Sequence, residues 1–123
     1  MEKIFAQLQS AMDKLENYRR LLEKILRAYA DISNAPNEPT NTVAVFDREN
    51  DRYLLLTYGR ENKKRVHSCW AHIEIRKGKF WIHFDGTEEG IAADLLKNGV
   101  PKSEIVLAFK SPAMRQYTEF AAA

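Results

Sequence analysis

Six side chains able to bind a ligand or a partner lie on two adjoining segments near the middle of the chain. They are two tryptophans, two histidines and two carboxylates: Trp70, His72, Glu74, Trp81, His83 and Asp85. Two histidines with a carboxylate can hold zinc, and tryptophan is enriched where one protein anchors on another. Three interpretations stay open: a metal site, a partner-binding face, or a cluster that a second helix or a neighbouring segment of the same chain covers.

The position of these residues depends on a predicted hairpin. Lys77-Gly78 is typical of a two-residue turn, in which the glycine supplies a positive φ. Such a turn pairs Arg76 with Lys79 and thereby sets every further pair. The resulting polar and aromatic pairs are His72 with His83, Glu74 with Trp81, and Trp70 with Asp85. The opposite side carries Ala71, Ile73, Ile75, Phe80, Ile82 and Phe84, together with Cys69. We therefore predict one polar and aromatic face, one core face, and a buried thiol.

A second pair of carboxylates, Glu88 and Glu89, follows this hairpin. Paired carboxylates can serve acid–base chemistry or bind metals, but their position here favours another role. Thr87 has the side chain of a helix N-cap, and negative charge is stabilised in the first turn of a helix. Helical apolar spacing follows until Asn98-Gly99, where the glycine suits a left-handed C-cap. We predict that these glutamates open a helix.

The N-terminal third predicts one long helix. No glycine or proline interrupts the first 32 residues, and apolar residues recur at alternating intervals of four and three. The repeat consists of Ile4, Leu8, Ala11, Leu15, Tyr18, Leu22, Ile25, Tyr29 and Ile32. Tyrosines at two of these positions and mixed outer charges favour packing on the protein's own sheet. Homo-oligomerisation as a coiled coil is the alternative.

The remaining elements predict an α+β fold. Four extended segments are predicted as strands, at 42–47, 52–58, 65–76 and 79–85. The second helix follows them, and a short fifth strand is predicted at 105–109. We predict a long N-terminal helix packed on a mainly antiparallel sheet, formed by a four-strand meander and then a helix and a fifth strand. The length of 123 residues suits a single domain, 1–123.

Charge and composition narrow the function. A net charge of +2 does not indicate a general nucleic-acid binder, but seven basic and two acidic residues lie between positions 60 and 79. Arg60, Lys63, Lys64 and Arg65 are therefore candidate nucleic-acid contacts, with a solvated hairpin tip as the alternative. The single cysteine, the absence of an apolar run of about 20 residues and the lack of a signal-peptide pattern favour a cytoplasmic location without membrane contact.

The C-terminal half carries a family resemblance. The chain from Gly78 to Ala121, "GKFWIHFDGTEEGIAADLLKNGVPKSEIVLAFKSPAMRQYTEFA", resembles the XisI family, the cyanobacterial fdxN element excision controlling factors. The pieces "MDKLENYRRLL" and "DRYLLL" upstream also fit, so the likeness spans Met12 to the C-terminus. Residues 1–11 are then an extension of the first helix, or Met12 is an alternative start. Arg60 stands where the family often has tryptophan, which puts in doubt the carry-over of a partner surface around that turn.

The resemblance implies an accessory protein. XisI-like proteins act beside an XisH-like partner with a nuclease-like fold in site-specific DNA rearrangement, while the recombinase is a different protein. Contact with DNA is then indirect or weak, and the resemblance supplies no catalytic residue, metal or cofactor. Two other hypotheses stay open: DNA binding by the basic hairpin, and a nuclease in which Glu74-Ile75-Arg76 works with Asp47 and Asp51. Arginine in place of the lysine of such nuclease motifs weakens the latter.

Overall fold

A computed structural model describes residues 2–123; Met1, which the sequence assigns to the N-terminal extension, lies outside them. The elements in chain order are α1 (Glu2–Ser33), β1 (Thr40–Asp47), β2 (Arg52–Glu61), β3 (Lys64–Arg76), β4 (Lys79–Asp85), α2 (Ile91–Lys97), a 3-10 turn (Lys102–Glu104), β5 (Ile105–Leu107) and α3 (Pro112–Arg115). The sheet order is β1-β2-β3-β4-β5, with β1 to β4 antiparallel and β5 parallel to β4. The predicted α+β fold, a long helix with a meander and a fifth strand, is confirmed.

The main core lies between the sheet and the two helices α1 and α2, on the side that we call the helix side. Its fully buried members include Leu22, Leu26, Tyr53, Leu55, Ile73, Phe80, Ile82, Ile91, Leu95 and Ile105. Burying one such side chain stabilises the fold by about 1.5–3 kcal/mol relative to leaving it in water. The helical stripe therefore packs on the protein's own sheet from Leu15 onward, whereas Ile4, Leu8 and Met12 are more than half exposed.

Ion pairs fix α1 to the turn between β1 and β2. The guanidinium of Arg48 donates to Glu16 at 2.9 Å and to the buried carboxylate of Glu23 at 2.7 Å. These hydrogen bonds lower the pKa of Glu23, although burial acts in the opposite direction. Arg19 forms a bidentate ion pair with Asp51, in which Nε donates to Oδ1 at 2.7 Å and Nη2 donates to Oδ2 at 3.0 Å. The middle of α1 is therefore held over the sheet by charge as well as by apolar packing.

Two β-bulges change the predicted register of β3. The four pairs nearest the Lys77-Gly78 turn are as predicted, from Arg76 with Lys79 to Ile73 with Ile82. Beyond them, His72 pairs with Phe84 and Ala71 with Asp85, so His83 is an extra residue in β4. Where β3 pairs with β2, Leu55 pairs with Ala71 and Leu56 with Cys69, so Trp70 is an extra residue in β3. The predicted pairs His72 with His83, Ala71 with Phe84 and Trp70 with Asp85 are wrong.

The bulge at Trp70 also changes the side on which its neighbours lie. An extra residue breaks the alternation of side chains, so residues on either side of it no longer follow the period of two. Ala71 is fully buried on the helix side, while Cys69 is exposed and its thiol lies 3.3 Å from the carbonyl oxygen of Ala71. The prediction of a buried Cys69 is therefore wrong.

The helix after β4 begins later than predicted. α2 starts at Ile91 after Gly90, whose φ is 92°, and Glu88 and Glu89 lie in the preceding bend, exposed to solvent. Asp85 provides the cap instead: its carboxylate accepts from the amide of Thr87 at 2.9 Å and from that of Ile91 at 2.7 Å. The C-terminal end is as predicted, since Gly99 has a φ of 87° and its amide bonds back into the helix. None of the helices within residues 2–123 is long and apolar enough to cross a membrane.

Candidate partner-binding face

The sheet side opposite α1, which we call the open face, carries an exposed apolar patch. Directly paired residues share a face, so the rows Val45–Leu54–His72–Phe84 and Val43–Leu56–Cys69 run across the strands on this side. We define the open-face patch as Val43, Val45, Leu54, Leu56 and Phe84. Val43 is 37% exposed, Val45 40% and Phe84 49%. Exposed apolar side chains grouped on one face, here with His72 between Leu54 and Phe84, are typical of interaction sites.

A polar cluster borders the patch. Nε2 of His83 lies 2.9 Å from the carboxylate of Glu74, which can only accept, so His83 donates. Nη1 of Arg52 lies 3.2 Å from Nε2 of His72, and an arginine can only donate, so this nitrogen of His72 is an acceptor. The two imidazole rings are 4.9 Å apart. The hydrogen bonds thus place a proton on Nε2 of His83 and none on Nε2 of His72.

The environment shifts the pKa of two members of this cluster. Burial lowers the pKa of His72, and the neighbouring His83 and the Arg52 guanidinium lower it further, so the neutral imidazole is favoured. Burial raises the pKa of Glu74, but the hydrogen bond from His83 and the charges of Arg52 and Arg76 outweigh it, and the net pKa is lowered. Glu74 is therefore an anion surrounded by donors.

Trp81 shares this face but is covered. Its indole is 7% exposed, and its N–H donates to the carbonyl of Arg76 at 3.1 Å. The Arg76 guanidinium lies 3.9 Å from the ring centroid and that of Arg115, from the C-terminal segment, lies at 5.9 Å. The segment itself returns to the sheet, where Ala121 bridges to Val106, the β5 partner of Trp81. A neighbouring segment of the chain therefore covers Trp81.

The predicted six-residue face is divided between the two sides of the sheet. His72, Glu74, Trp81 and His83 lie on the open face. Trp70 lies on the helix side, where its ring packs edge-on against Tyr29 of α1 at 6.4 Å, and Asp85 caps α2 on that same side. The bulges are the reason, because each adds a residue between positions that a regular strand would place together.

The apolar residues of the patch were not among the predicted site residues. Val43 and Val45 on β1 alternate with Thr42, Ala44 and Phe46, which face the helices, so β1 is apolar on both sides. The run Leu54-Leu55-Leu56 has the same property. Strands that are apolar on both sides predict a sheet covered on both faces, and this signal could have indicated the patch.

The residues of the nuclease hypothesis do not form one site. Asp47 accepts from the backbone amides of its own turn, Asp51 is bound by Arg19 and Tyr53 on the helix side, and Glu74 bonds to His83 on the open face. Within residues 2–123 there is no group of three or more histidine, cysteine or acidic side chains placed to hold a metal ion. The three carboxylates belong to separate hydrogen-bond networks.

The basic residues lie at the tip of the β2–β3 hairpin. Arg60 pairs with Arg65 across the two strands, and Asn62 and Lys63 form the turn with positive φ values of 52° and 66°. All four basic side chains, Arg60, Lys63, Lys64 and Arg65, are exposed, and none forms an ion pair with another described residue. The tip is thus a free cationic surface.

Comparison with known proteins gives matches to one family. The family model for XisI protein matches residues 12–122. The crystal structure of the fdxN element excision controlling factor XisI from Anabaena variabilis ATCC 29413 is 36% identical to this chain, with a TM-score of 0.76, and the match covers 89% of this chain and 99% of that one. A XisI-like protein from the same strain is 30% identical, with a TM-score of 0.80 and the same coverage. Among curated proteins, none matches.

Proposed function

Because this chain belongs to the XisI family, we propose that it is a non-catalytic accessory factor that acts with an XisH-like protein of nuclease-like fold in site-specific excision of a DNA element. One solved relative bears the name excision controlling factor, which supports a regulatory rather than a catalytic role. The observation that carries the proposal is the open-face patch, which gives a small protein of this family a surface suited to holding a partner. We further propose that it works in the cytoplasm.

The open face has the composition of a protein interface. Its apolar side chains are aliphatic on β1 and β2 and aromatic at Phe84 on β4; His72 lies between Leu54 and Phe84, and Arg52 lies beside Leu54. Aromatic and arginine side chains are enriched among the residues that carry binding energy, and a polar rim commonly surrounds an apolar centre. The patch extends across four strands, which at about 4.8 Å per strand is about 14 Å. We expect the partner to present an apolar surface with a carboxylate that meets Arg52.

The test is co-purification with the XisH-like protein encoded nearest to this chain. Light scattering after size-exclusion chromatography reports the mass of the complex. We expect Val45→Glu and Phe84→Glu to abolish the complex, because a charge in a desolvated apolar contact costs several kcal/mol. Both side chains are 40–49% exposed in the free protein, so the fold tolerates the change.

Phe5→Glu is the matched control. Phe5 is apolar and 69% exposed, but it lies in the N-terminal part of α1 away from the open face. The control variant should keep the complex. If the two open-face variants bind as well as the unaltered chain, or if the unaltered chain does not associate at all, the proposal fails. A complex lost only in Phe5→Glu would place the docking surface on the N-terminal part of α1.

Direct DNA binding by the basic hairpin is the second candidate function, favoured by its four exposed and unpaired cations. Contacts with phosphates make the logarithm of the binding constant fall with the logarithm of salt concentration, by about 0.9 per phosphate on duplex DNA. Arg60→Glu with Lys63→Glu should abolish a gel shift, whereas Lys24→Glu, an exposed lysine on α1, should not. Absence of any shift with the unaltered chain at low salt would eliminate this function.

A further inference from the structure

Glu88 and Glu89 have no part in the proposed function, and the structure places them at the rim of a groove. This groove, which we call the helix-side groove, has a volume of about 470 Å³ and runs between the second half of α1 and the bend before α2. Its apolar wall is one face of α1, formed by Leu21, Ile25, Ala28 and Ile32. Since Leu21 and Ile32 are eleven residues apart and the rise is about 1.5 Å per residue, the wall is about 16 Å long. That length is three turns of a helix.

The floor of the groove presents aromatic carbon. Tyr29 and Trp70 meet there edge-on, with ring centroids 6.4 Å apart. Both polar groups are already engaged within the protein: the Tyr29 hydroxyl donates to Asp94, and the Trp70 indole N–H donates to the carbonyl of Gly86 at 2.9 Å. The rings therefore offer their faces and edges to an occupant and need no hydrogen bond from it.

The rim of the groove is acidic. Glu88, Glu89 and Asp94 contribute three carboxylates against the single ammonium of Lys24. Glu88 has no ion-pair partner among the described residues, and the nearest cation to Glu89 is Lys97 at 3.8 Å, with both side chains mostly exposed. A cation above tryptophan or tyrosine is attracted by the ring as well as by nearby carboxylates. The charge and the aromatic floor thus favour the same kind of group.

We propose that the helix-side groove binds an amphipathic helix of a partner protein, one that carries leucine-like side chains on one face and lysine or arginine beside them. Apolar side chains of such a helix pack along α1, in the way that amphipathic helices fill grooves in other proteins. Its cations meet Glu88 and Glu89. The elongated shape favours a helix over a small cation, because a small cation would leave most of the 16 Å apolar wall in water. The inference goes beyond the proposed function, which concerns the open face.

The probe is a 14-residue helical peptide of leucine and lysine, compared with the same peptide carrying glutamate in place of lysine. Trp70 reports binding by a shift of its fluorescence emission, since it lies in the groove while Trp81 is covered on the other side of the sheet. We expect the lysine peptide to bind, and added salt to weaken it. Glu88→Gln with Glu89→Gln should lower the affinity about fivefold, the sum of two exposed ion pairs. Ile32→Ser should also weaken binding.

Glu49→Gln with Glu61→Gln is the matched control, because it removes two exposed carboxylates from other surfaces and should leave binding unchanged. Unchanged urea midpoints for all variants show that the fold is intact. The proposal is overturned if the lysine peptide does not bind, if the glutamate peptide binds equally well, or if the Glu88 and Glu89 double variant binds like the unaltered chain. Displacement of the peptide by tetramethylammonium at equal concentration would assign the groove to a small cation instead.

Discussion

Trp70 offers a direct test of the bulged register, because the bulge makes this residue part of the fold. Its half-buried ring packs against Tyr29, and its N–H bonds to the carbonyl of Gly86 at 2.9 Å. Replacing a fully buried tryptophan by alanine costs about 3–5 kcal/mol of the free energy of unfolding. Because the Trp70 ring is only half buried, we expect Trp70→Ala to cost about 2–3 kcal/mol. Trp70→Phe keeps a ring and loses the hydrogen bond, for about 1 kcal/mol.

Urea unfolding followed by far-ultraviolet circular dichroism measures both values without relying on tryptophan emission. For a domain of this size, 1 kcal/mol corresponds to about 4 °C in melting temperature, so Trp70→Ala should melt about 8–12 °C lower. Ile32→Ala, at a position that is 75% exposed, serves as the control and should change stability by less than about 0.5 kcal/mol.

A cost for Trp70→Ala as small as that of the control would refute the reasoning. It would mean that the Trp70 ring lies on the open face, where the regular strand predicted from the sequence would place it. Equal costs for the alanine and phenylalanine variants would show that the hydrogen bond to Gly86, and not the packing on Tyr29, holds the indole. If Trp70→Ala keeps its stability but no longer binds the XisH-like protein, Trp70 instead belongs to the predicted partner-binding face.

Three further predictions concern single side chains. Tyr53→Phe removes a hydrogen bond of 2.9 Å from a fully buried hydroxyl to the Asp51 carboxylate, and should cost about 1.5 kcal/mol in urea unfolding. Gly86→Ala places a Cβ 2.7 Å from Cδ1 of Trp70, and this overpacking should cost about 1–3 kcal/mol in the same assay. Burial and neighbouring positive charge lower the pKa of His72 below its usual value of about 6.5, so the unfolded chain takes up its proton first as the pH falls. Stability should therefore decline below about pH 6.5, and His72→Gln should flatten that part of a plot of melting temperature against pH.

The sequence predicts the elements well because their signals are local. The Lys77-Gly78 turn alone gives the correct pairing as far as Ile73 with Ile82. The bulges escape such reasoning, since the apolar alternation through Cys69 and Ala71 is what a regular strand also shows. What places Trp70 on the helix side is its contact with Tyr29, a residue from the first helix, and a local pattern contains no information about that contact.

Part of the predicted face lies on one side of the sheet for a similar reason. Glu74 and Trp81 share a face because they lie close to the turn, where the register is correct. His72 keeps that face because it is two residues from Glu74, and the extra residue His83 reaches Glu74 by a hydrogen bond. The start of α2 was misplaced because Thr87 and two glutamates give a familiar N-terminal pattern, whereas in the structure the Asp85 carboxylate accepts from the Thr87 hydroxyl and from the amide of Ile91. A sequence also cannot show whether the second side of an apolar strand is covered by its own chain or by another protein.

The order of strands in the sheet equals their order in the chain, and this has a consequence for how the protein folds. Each of the first three pairings joins segments separated by a short turn, so little chain entropy is lost before contacts form, and such topologies fold rapidly. The pairing of β5 with β4 is different, because it is parallel and must wait for α2 to cross over. We therefore expect the meander to form first and the three residues of β5 to join last, which would make their amides the first of the sheet to exchange with deuterium.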